Sequence, residues 1–307
     1  MKVLTYAPAE RLAPSCVALG FFDGVHLGHR AIFNEALAVK GLQTITYTFQ
    51  RHPKNTIAGH TVVPLLTDNT EKNGLLSAIG LDACVYDDFQ RVRSLTAEEF
   101  FEQVLLKQLH AKHVVCGFNY RFGYCGVGDH NTLAELCAKH GVGLSVVQPV
   151  VIDGLTVSSS LIRSLLRQGE AERAAALLGR PYSLQRPVLY GKRLGRTLGL
   201  PTINQTFAEE ALVPAFGVYA TRTQVDGREY DSISNIGLRP TVDDRDLNCE
   251  THILDFDGDL YEKEICVSFF KRLRPEVRFS DLAALQQQVE KDKQTARQYF
   301  QEQNEKL

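Results

Sequence analysis

The sequence predicts two folds in succession: an α/β domain on a parallel sheet, then a small antiparallel β-barrel followed by one long helix. Three observations predict this. Short apolar runs alternate with helical spacings through the first half of the chain. After Tyr182 the runs become strand-like and are separated by turn dipeptides. The tail carries a single amphipathic period. Strands alternating with helices call for a parallel sheet with helices on both faces. Short strands joined by tight turns call for an antiparallel barrel.

The elements follow in order. Cys16 to Leu19 is an apolar run before a glycine, hence a strand. His29 to Val39 has helical spacing through Ile32 and Leu37. Leu42 to Phe49 is β-rich, Thr67 to Ile79 helical, and Ala83 to Tyr86 a strand. Thr96 to Leu109 reads as a helix. Thr96 is its cap, Glu99 completes a capping box, and Phe100, Val104 and Leu105 share a face. His113 to Cys116 is a buried strand, Thr132 to His140 a helix and Gly143 to Pro149 a strand. Ser158 to Leu178 is helical until Gly179-Arg180-Pro181 stops it. Beyond Tyr182, strands are expected at Val188 to Tyr190, Gly217 to Thr223, Thr251 to Phe256 and Ile265 to Phe270. Asp226-Gly227 and Asp257-Gly258 mark turns. The tail helix runs from Ser280 to Gln303 with Leu282, Leu285, Val289, Ala296 and Phe300 inward. The change of pattern at Tyr182 sets the domain boundary, giving 1–182 and 183–307.

The 307 residues are 44% hydrophobic and 23% charged, an ordinary globular composition. A formal charge of −2 does not suit a nucleic-acid-binding domain. Lysines and arginines cluster only near Lys192 and Lys271, enough for a few phosphates but not for a polymer. The seven cysteines are odd in number and none has C-x-x-C spacing, which argues against disulfides and structural zinc. The N-terminus lacks the apolar core of a signal peptide, and no stretch has the length to cross a membrane. The expectation is a cytoplasmic protein with reduced thiols and small-molecule partners, without nucleic acid or membrane, and either monomeric or weakly homo-oligomeric.

Two segments carry phosphate chemistry. GFFDGVHLGHR, Gly20 to Arg30, is a glycine-rich turn entering a helix. Such a turn offers backbone N–H groups and the positive helix end to an anion. His26 and His29, three apart, share a face of a helical turn. Gly28 between them has no side chain, so a nucleotide can approach closely. Imidazoles there can donate hydrogen bonds to phosphate oxygens as charge shifts in the transition state. GKRLGRTLGLPTIN, Gly191 to Asn204, is basic and glycine-rich but is not a P-loop, because no G-K-[ST] follows at the required spacing. Thr202 and Asn204 offer neutral oxygens that suit Mg²⁺. On its own, P-T-x-N is more often a turn.

These residues resemble the prokaryotic bifunctional riboflavin kinase/FAD synthetases. GFFDGVHLGH resembles their nucleotidylyltransferase signature. TFQRHP (48–53), GFNYRFG (117–123), VSSSLIR (157–163) and LLGRPY (177–182) follow in family order. GRTLGLPTIN then resembles the riboflavin kinase motif, followed by SNIGLRPT (234–241) and THILDFDGDLY (251–261). The resemblance implies a Rossmann-like nucleotidylyltransferase domain over 1–182 and a riboflavin kinase barrel over 183–307. In the first domain it implies ATP binding by Gly20, Phe21, Asp23, Gly24, His26, Gly28, His29, Ser158, Ser159 and Arg163. His26 and His29 would be catalytic, with Asn119 and Tyr120 on the flavin side. In the second it implies ATP binding by Gly191, Lys192, Gly195, Arg196, Gly199, Pro201, Thr202 and Asn204. Mg²⁺ would sit on Thr202 and Asn204, the catalytic base would be Glu250, and Arg274 and Phe279 would lie at the flavin. The implied reactions are ATP-dependent phosphorylation of riboflavin to FMN, then adenylylation of FMN to FAD with release of pyrophosphate.

The chain departs from the pattern at Phe22, where asparagine is commonest, at Gln50-Arg51 before His52-Pro53, at Asn119, where aspartate is usual, and at Arg186 and Glu262, where glycine is usual. Two other readings stay open. One is a class I aminoacyl-tRNA synthetase fragment, which lacks its K-M-S-K-S-like loop here. The other is a flavin-binding protein without catalysis.

Overall fold

The computed structural model describes residues 1–5, 12–190, 201–238 and 247–305, and the chain divides into two units, Met1–Ser159 and Ser160–Leu307. The first unit is built on six parallel strands: β1 (Lys2–Thr5), β2 (Ser15–Leu19), β3 (Gln43–Phe49), β4 (Ala83–Asp87), β5 (Ala111–Gly117) and β6 (Gly143–Val147). They are ordered β1-β4-β3-β2-β5-β6. Helices α1 (Leu27–Ala38), α2 (Pro53–Ala58), α3 (Asn69–Ile79), α4 (Phe89–Val92), α5 (Ala97–Phe100) and α6 (His130–His140) connect them.

The expected burial of both sheet faces is seen in β2, whose five residues are all buried. Val17 and Leu19 point into a core with Phe101, Val104, Leu105 and Leu133. Cys16 and Ala18 point into the other core, with Ile32, Phe33, Ala36 and Leu76. A strand buried on both faces reads as a continuous apolar run because neither side meets water. Fully buried side chains such as Phe33 and Phe101 each contribute on the order of 2 kcal/mol.

The capping box forms as predicted. Thr96 Oγ1 accepts the Glu99 N–H at 3.1 Å, and Glu99 Oε2 accepts the Thr96 N–H at 2.8 Å. Beyond Phe100 the helix widens into a π-helix over Phe101–Gln108, so the Leu109 N–H reaches back five residues to Val104 O. Phe101 is buried beside Phe100, which a regular 3.6-residue period does not anticipate. β1, α2, α4 and the hairpin β7 (Val151–Ile152) with β8 (Leu155–Thr156) are too short to carry a readable period.

The second unit opens with two helices where one was expected, α7 (Ser159–Gln168) and α8 (Ala171–Leu178), broken at Gly169 with φ 84°. Six antiparallel strands follow: β9 (Tyr182–Pro187), β10 (Ile203–Thr206), β11 (Gly217–Val225), β12 (Arg228–Leu238), β13 (Leu247–Ile253) and β14 (Glu264–Arg274). Their order is β10-β13-β12-β11-β14-β9. The end strands approach each other and nearly close a barrel. Leu189 bridges Asn204, and buried Gln205 donates Nε2 to Arg186 O at 2.7 Å and to Ile265 O at 2.8 Å. Asp226 and Gly227 both have positive φ, 48° and 82°, as a two-residue hairpin between β11 and β12 requires.

β12 was not expected, for a physical reason. Its inward residues Ser232 and Ser234 are polar and pair with other buried hydroxyls: Thr223 on Ser232 at 2.7 Å, and Thr221 and Thr251 on Ser234 at 2.8 and 2.7 Å. Hydrogen bonding satisfies them in the interior, so no apolar alternation marks the strand.

The tail helix, α9 (Leu282–Asn304), buries Ala296 and Phe300 against Val218, Ala220 and Ile233. Leu282 is 63% exposed, so its expected inward position is corrected. The helix's N-terminal half borders a cavity, lined by Leu285, Val289 and the buried Asp292, and the first turn runs beyond the packed core. No helix among the described residues is long and apolar enough to cross a membrane. None of the seven cysteines is in a disulfide, and burial pushes Cys16 and Cys137 up to about 11 and Cys84, Cys116 and Cys249 up to about 12.

The two departures from glycine differ in consequence. Arg186 sits in regular strand β9 opposite Ile265. Glu262 has φ 65°, a left-handed backbone that glycine adopts without strain. Glu262→Gly relieves about 1–2 kcal/mol of conformational strain and costs about 0.5–1 kcal/mol of chain entropy. It should raise stability by about 0.5–1 kcal/mol in urea unfolding, and a loss of stability would show that the turn carries no strain.

Candidate functional site

The strand order places the first site. From β2 the chain crosses through α1 to β3 on one side, while β5 lies on the other side of β2. A reversal of this kind opens a crevice at the carboxyl ends of the two strands. Gly20 follows β2 and Gly117 ends β5, so GFFDGVHLGHR and GFNYRFG meet there. A cavity of about 660 Å³ occupies the crevice, with Gly20, Phe21, His29, Asn119 and Tyr120 among its lining residues.

The turn between β2 and α1 is strained and tightly held. Phe22, Gly24 and Val25 all have positive φ, at 57°, 81° and 43°. For a bulky or β-branched residue such a backbone persists only where the surroundings enforce it. Asp23, 2% exposed, accepts the N–H groups of Leu66 and Thr67 at 2.9 and 3.2 Å. Thr67 Oγ1 accepts the Gly24 N–H, and Ser159 Oγ donates to Asp23 O at 2.9 Å. Asp23 therefore acts by fixing the turn.

His26 stands just outside the helix and caps it, its Nδ1 accepting the His29 N–H at 3.2 Å. The two rings stack with centroids 3.5 Å apart, so the pair expected from the three-residue spacing is realised. Because Nδ1 is an acceptor, the neutral His26 ring carries its proton on Nε2. A Cβ at Gly28 would lie 3.1 Å from the His26 ring, so the missing side chain also leaves room for that imidazole. His29 is braced by the Phe22 ring at 5.2 Å.

Sequence reading missed most of the cavity wall. Tyr47, Phe49, Phe89, Phe100 and Phe122 make it aromatic, and Lys54, Arg93 and Arg121 add cations, with no carboxylate among its lining residues. That combination suits a flat aromatic ligand with negative charge. Phe49 lies inside TFQRHP and could have been read from it. Tyr47 could not, because its place depends on Asp87, which accepts its hydroxyl at 2.5 Å while paired with Arg91. Burial, with that carboxylate, raises the Tyr47 hydroxyl far above its ordinary range. Ser158, Ser159, Asp23, Gly24, His26 and Gly28 do not line this cavity. Arg163 lies buried on α7, in the second unit.

In the barrel, the β10–β13 register sets Asn204 opposite Glu250, and Asn235 faces Glu250 from β12. Asn248, 4% exposed, donates Nδ2 to Asn204 Oδ1 at 3.2 Å and to Glu250 Oε1 at 3.1 Å. Asn248 was missed because nothing marks it until the strands pair. Thr202 lines two cavities. One, of about 560 Å³, also has Pro201, Ile203, Phe256, Asp259 and Tyr261 in its wall. The other, of about 380 Å³, has Glu250, His252, Arg274, Phe279 and Asp292. Glu250, Arg274 and Phe279 are thus brought together as expected. His252 Nδ1 and Pro201 O are 2.8 Å apart, and burial lowers the imidazole pKa, leaving a neutral ring that donates to that carbonyl. Gly191, Lys192, Gly195, Arg196 and Gly199 lie outside the described residues.

Among the described residues no group of His, Cys, Asp and Glu could hold a metal. Thr202 and Asn204, the latter accepting from Asn248, supply side-chain oxygens in the barrel. They are hard, neutral donors, which fit Mg²⁺ sharing the phosphate oxygens of a nucleotide.

Comparison with known proteins gives two family matches, one described as FAD synthetase over residues 9–161 and one as riboflavin kinase over residues 178–300. A bifunctional riboflavin kinase/FMN adenylyltransferase of Bacillus subtilis (strain 168) is 35% identical over 95% of this chain and 94% of its own length. One of Escherichia coli (strain K12) is 34% identical over 97% and 95%. A crystal structure named as a macrolide-efflux protein from Streptococcus pneumoniae superposes with a TM-score of 0.86 at 28% identity, covering 97% of this chain and 99% of that one.

Arg274 forms a forked ion pair with Asp292, with Nη2–Oδ2 at 2.7 Å and Nε to both oxygens at 3.0 Å, and Gln288 donates to the same carboxylate. Asp292→Ala leaves Arg274 without its counter-ion in a largely desolvated place. It should lower stability by about 3 kcal/mol in thermal unfolding, and Asp292→Asn by less. A loss below about 1 kcal/mol would show that solvent already screens the pair.

Proposed function

From the premise that this chain belongs to the bifunctional riboflavin kinase/FMN adenylyltransferase family, we propose an assignment of its two reactions to these cavities. The protein is an ATP-dependent enzyme of flavin-cofactor synthesis, phosphorylating riboflavin to FMN and adenylylating FMN to FAD. We place adenylylation in 1–182 and phosphorylation in 183–307.

For phosphorylation, the carrying observation is that Thr202 lines both barrel cavities while Glu250 opens into only one. ATP then occupies the larger cavity, with Pro201, Thr202 and Asn204 beside its phosphates, and the motif residues Gly191, Lys192, Gly195, Arg196 and Gly199 are assigned to the same nucleotide. Riboflavin occupies the smaller, against Arg274 and Phe279. Mg²⁺ held by Thr202 and Asn204 would neutralise charge on the transferred phosphoryl group. Glu250 takes the proton of the terminal ribityl hydroxyl as that oxygen bonds to the γ-phosphorus and ADP departs. Asn248 holds Glu250 and Asn204 in one orientation.

For adenylylation, a phosphate oxygen of FMN attacks the α-phosphorus of ATP, the bond to the bridging oxygen breaks, and pyrophosphate leaves. No covalent enzyme intermediate is needed, so positioning and fixed charge supply the rate. His26 and His29 donate to the phosphates, His26 from Nε2. Gly20, Phe21, Ser158 and Ser159 complete the ATP side, with Asp23, Gly24 and Gly28 shaping the turn. The aromatic wall and Asn119 and Tyr120 hold the flavin. We place the enzyme in the cytoplasm as a monomer or weak homo-oligomer.

Glu250→Gln should stop FMN formation from riboflavin while FMN supplied directly is still converted to FAD. His29→Ala should do the reverse, lowering FAD formation by about 10²-fold or more. Both are read by separating the flavins chromatographically. Full kinase activity in Glu250→Gln would remove that residue from the proton-transfer role. Asn204→Ala should raise the Mg²⁺ concentration needed for half-maximal FMN formation, and an unchanged requirement would place the ion elsewhere.

A further inference from the structure

One charged side chain near the N-terminal site is still without a role. Lys72, on α3, is 1% exposed, and a lysine is rarely buried so completely. Its ammonium donates to Phe21 O at 3.1 Å and lies 4.2 Å from the centre of the Phe21 ring and 5.8 Å from that of Tyr86. Thr48 Oγ1 donates to the same carbonyl at 3.0 Å. Phe21 lines the 660 Å³ cavity, and the next residue is the left-handed Phe22 that braces His29. Burying an ammonium costs several kcal/mol when it is not closely paired. A methionine would fill the same space without that cost, so the charge itself calls for a use.

We propose that Lys72 is a positioning residue for adenylyl transfer, its ammonium fixing and polarising the Phe21–Phe22 peptide so that the turn and His29 keep their working geometry. The inference rests on assigning this cavity to adenylylation. A cation on a carbonyl oxygen also strengthens the N–H at the other end of that peptide, which adds positive potential to the anion-binding turn.

The surroundings make the charge titratable within reach of experiment. The titratable groups around it are Asp23 from the turn, Cys84 and Tyr86 from β4, and Asp68 and Glu71 from the start of its own helix. Cys84 is pushed up to about 12 and Tyr86 is raised further, so both stay neutral near pH 8. Burial lowers the Lys72 pKa from 10.5 to about 8, with the Asp23 carboxylate opposing the fall. The sign then separates two roles. An amine with a lowered folded pKa gives up its proton earlier in the folded state than in the unfolded one. Its contribution to stability therefore rises with pH between about 8 and 10.5. Activity that needs the ammonium falls over the same range.

The test uses the full chain, following FAD formation from FMN and ATP and, as an internal control, FMN formation from riboflavin. For the wild type, FAD formation should decline with loss of one proton near pH 8 while the folded state is no less stable and the kinase reaction does not follow. Lys72→Met should lower kcat for FAD formation roughly tenfold to a hundredfold, change KM for FMN little, leave kinase activity intact, and abolish the alkaline decline. Thr48→Val, which removes the other donor to Phe21 O, should lower kcat less and retain the decline. The inference is overturned if Lys72→Met forms FAD within about twofold of the wild type, or if wild-type FAD formation is flat from about pH 7 to about pH 9.5. Should Lys72→Met not fold, the wild-type profile and Thr48→Val decide. A wild type that makes FMN but no FAD at any pH would instead overturn the adenylylation reading itself.

Discussion

The turn at the end of β2 is the constraint on which the N-terminal site depends. Three of its four residues from Phe22 to Val25 hold a left-handed backbone, two of them without the freedom of glycine. Such a turn does not persist by itself, and its partners come from distant parts of the chain. Asp23 reaches the 66–67 segment, Gly24 the Thr67 hydroxyl, Ser159 the Asp23 carbonyl, and Lys72 and Thr48 the Phe21 carbonyl. In return the turn sets the start of α1, where His26 caps the helix and stacks on His29. Strain stored at the site is balanced by hydrogen bonds made around it.

The barrel solves a similar problem with a different tool. The groups proposed to react there are placed by strand register, which sets Asn204 against Glu250 and brings Asn248 between them. A one-residue slip between the two strands would leave Asn204 on the face opposite Asn248 and Glu250. The closure made by Gln205 and the hydroxyl pairs inside the sheet both resist such a slip. The terminal helix adds a wall to the cavity that holds Glu250, Arg274 and Phe279, through Leu285, Val289 and Asp292. In the proposed assignment one half of the chain aims backbone and imidazole at phosphate, while the other presents a carboxylate and two neutral oxygens. That difference fits the chemistry. Adenylylation needs no proton taken from a hydroxyl, whereas phosphorylation of an alcohol does.

Strands β2 to β6, β11 and β14 and the longer helices were legible because their inward residues are apolar, whereas Val188 to Tyr190, expected as a strand, holds only an isolated bridge at Leu189. β12 was not, because its inward residues are serines satisfied by other hydroxyls. Phe100, Val104 and Leu105 were read correctly as one face, but the π-helical widening that also buries Phe101 left no mark in the period. Leu282 was misplaced because periodicity continues past the point where the barrel core ends. That Gly28 also leaves room for the His26 ring could not be read from the spacing.

The sequence by itself determined the two folds in order, the paired imidazoles at a helix start, and the oxygen donors Thr202 and Asn204. Each is local, written in a motif or a period of a few residues. Only the tertiary structure decided what faces what. Asn248 became the bridge between Asn204 and Glu250, Tyr47 joined the cavity through Asp87, and Lys72 came to lie under the Phe21 carbonyl. These side chains are separated along the chain from the groups they serve, or meet them only once strands pair. Their roles follow from strand order and register, which no local spacing encodes.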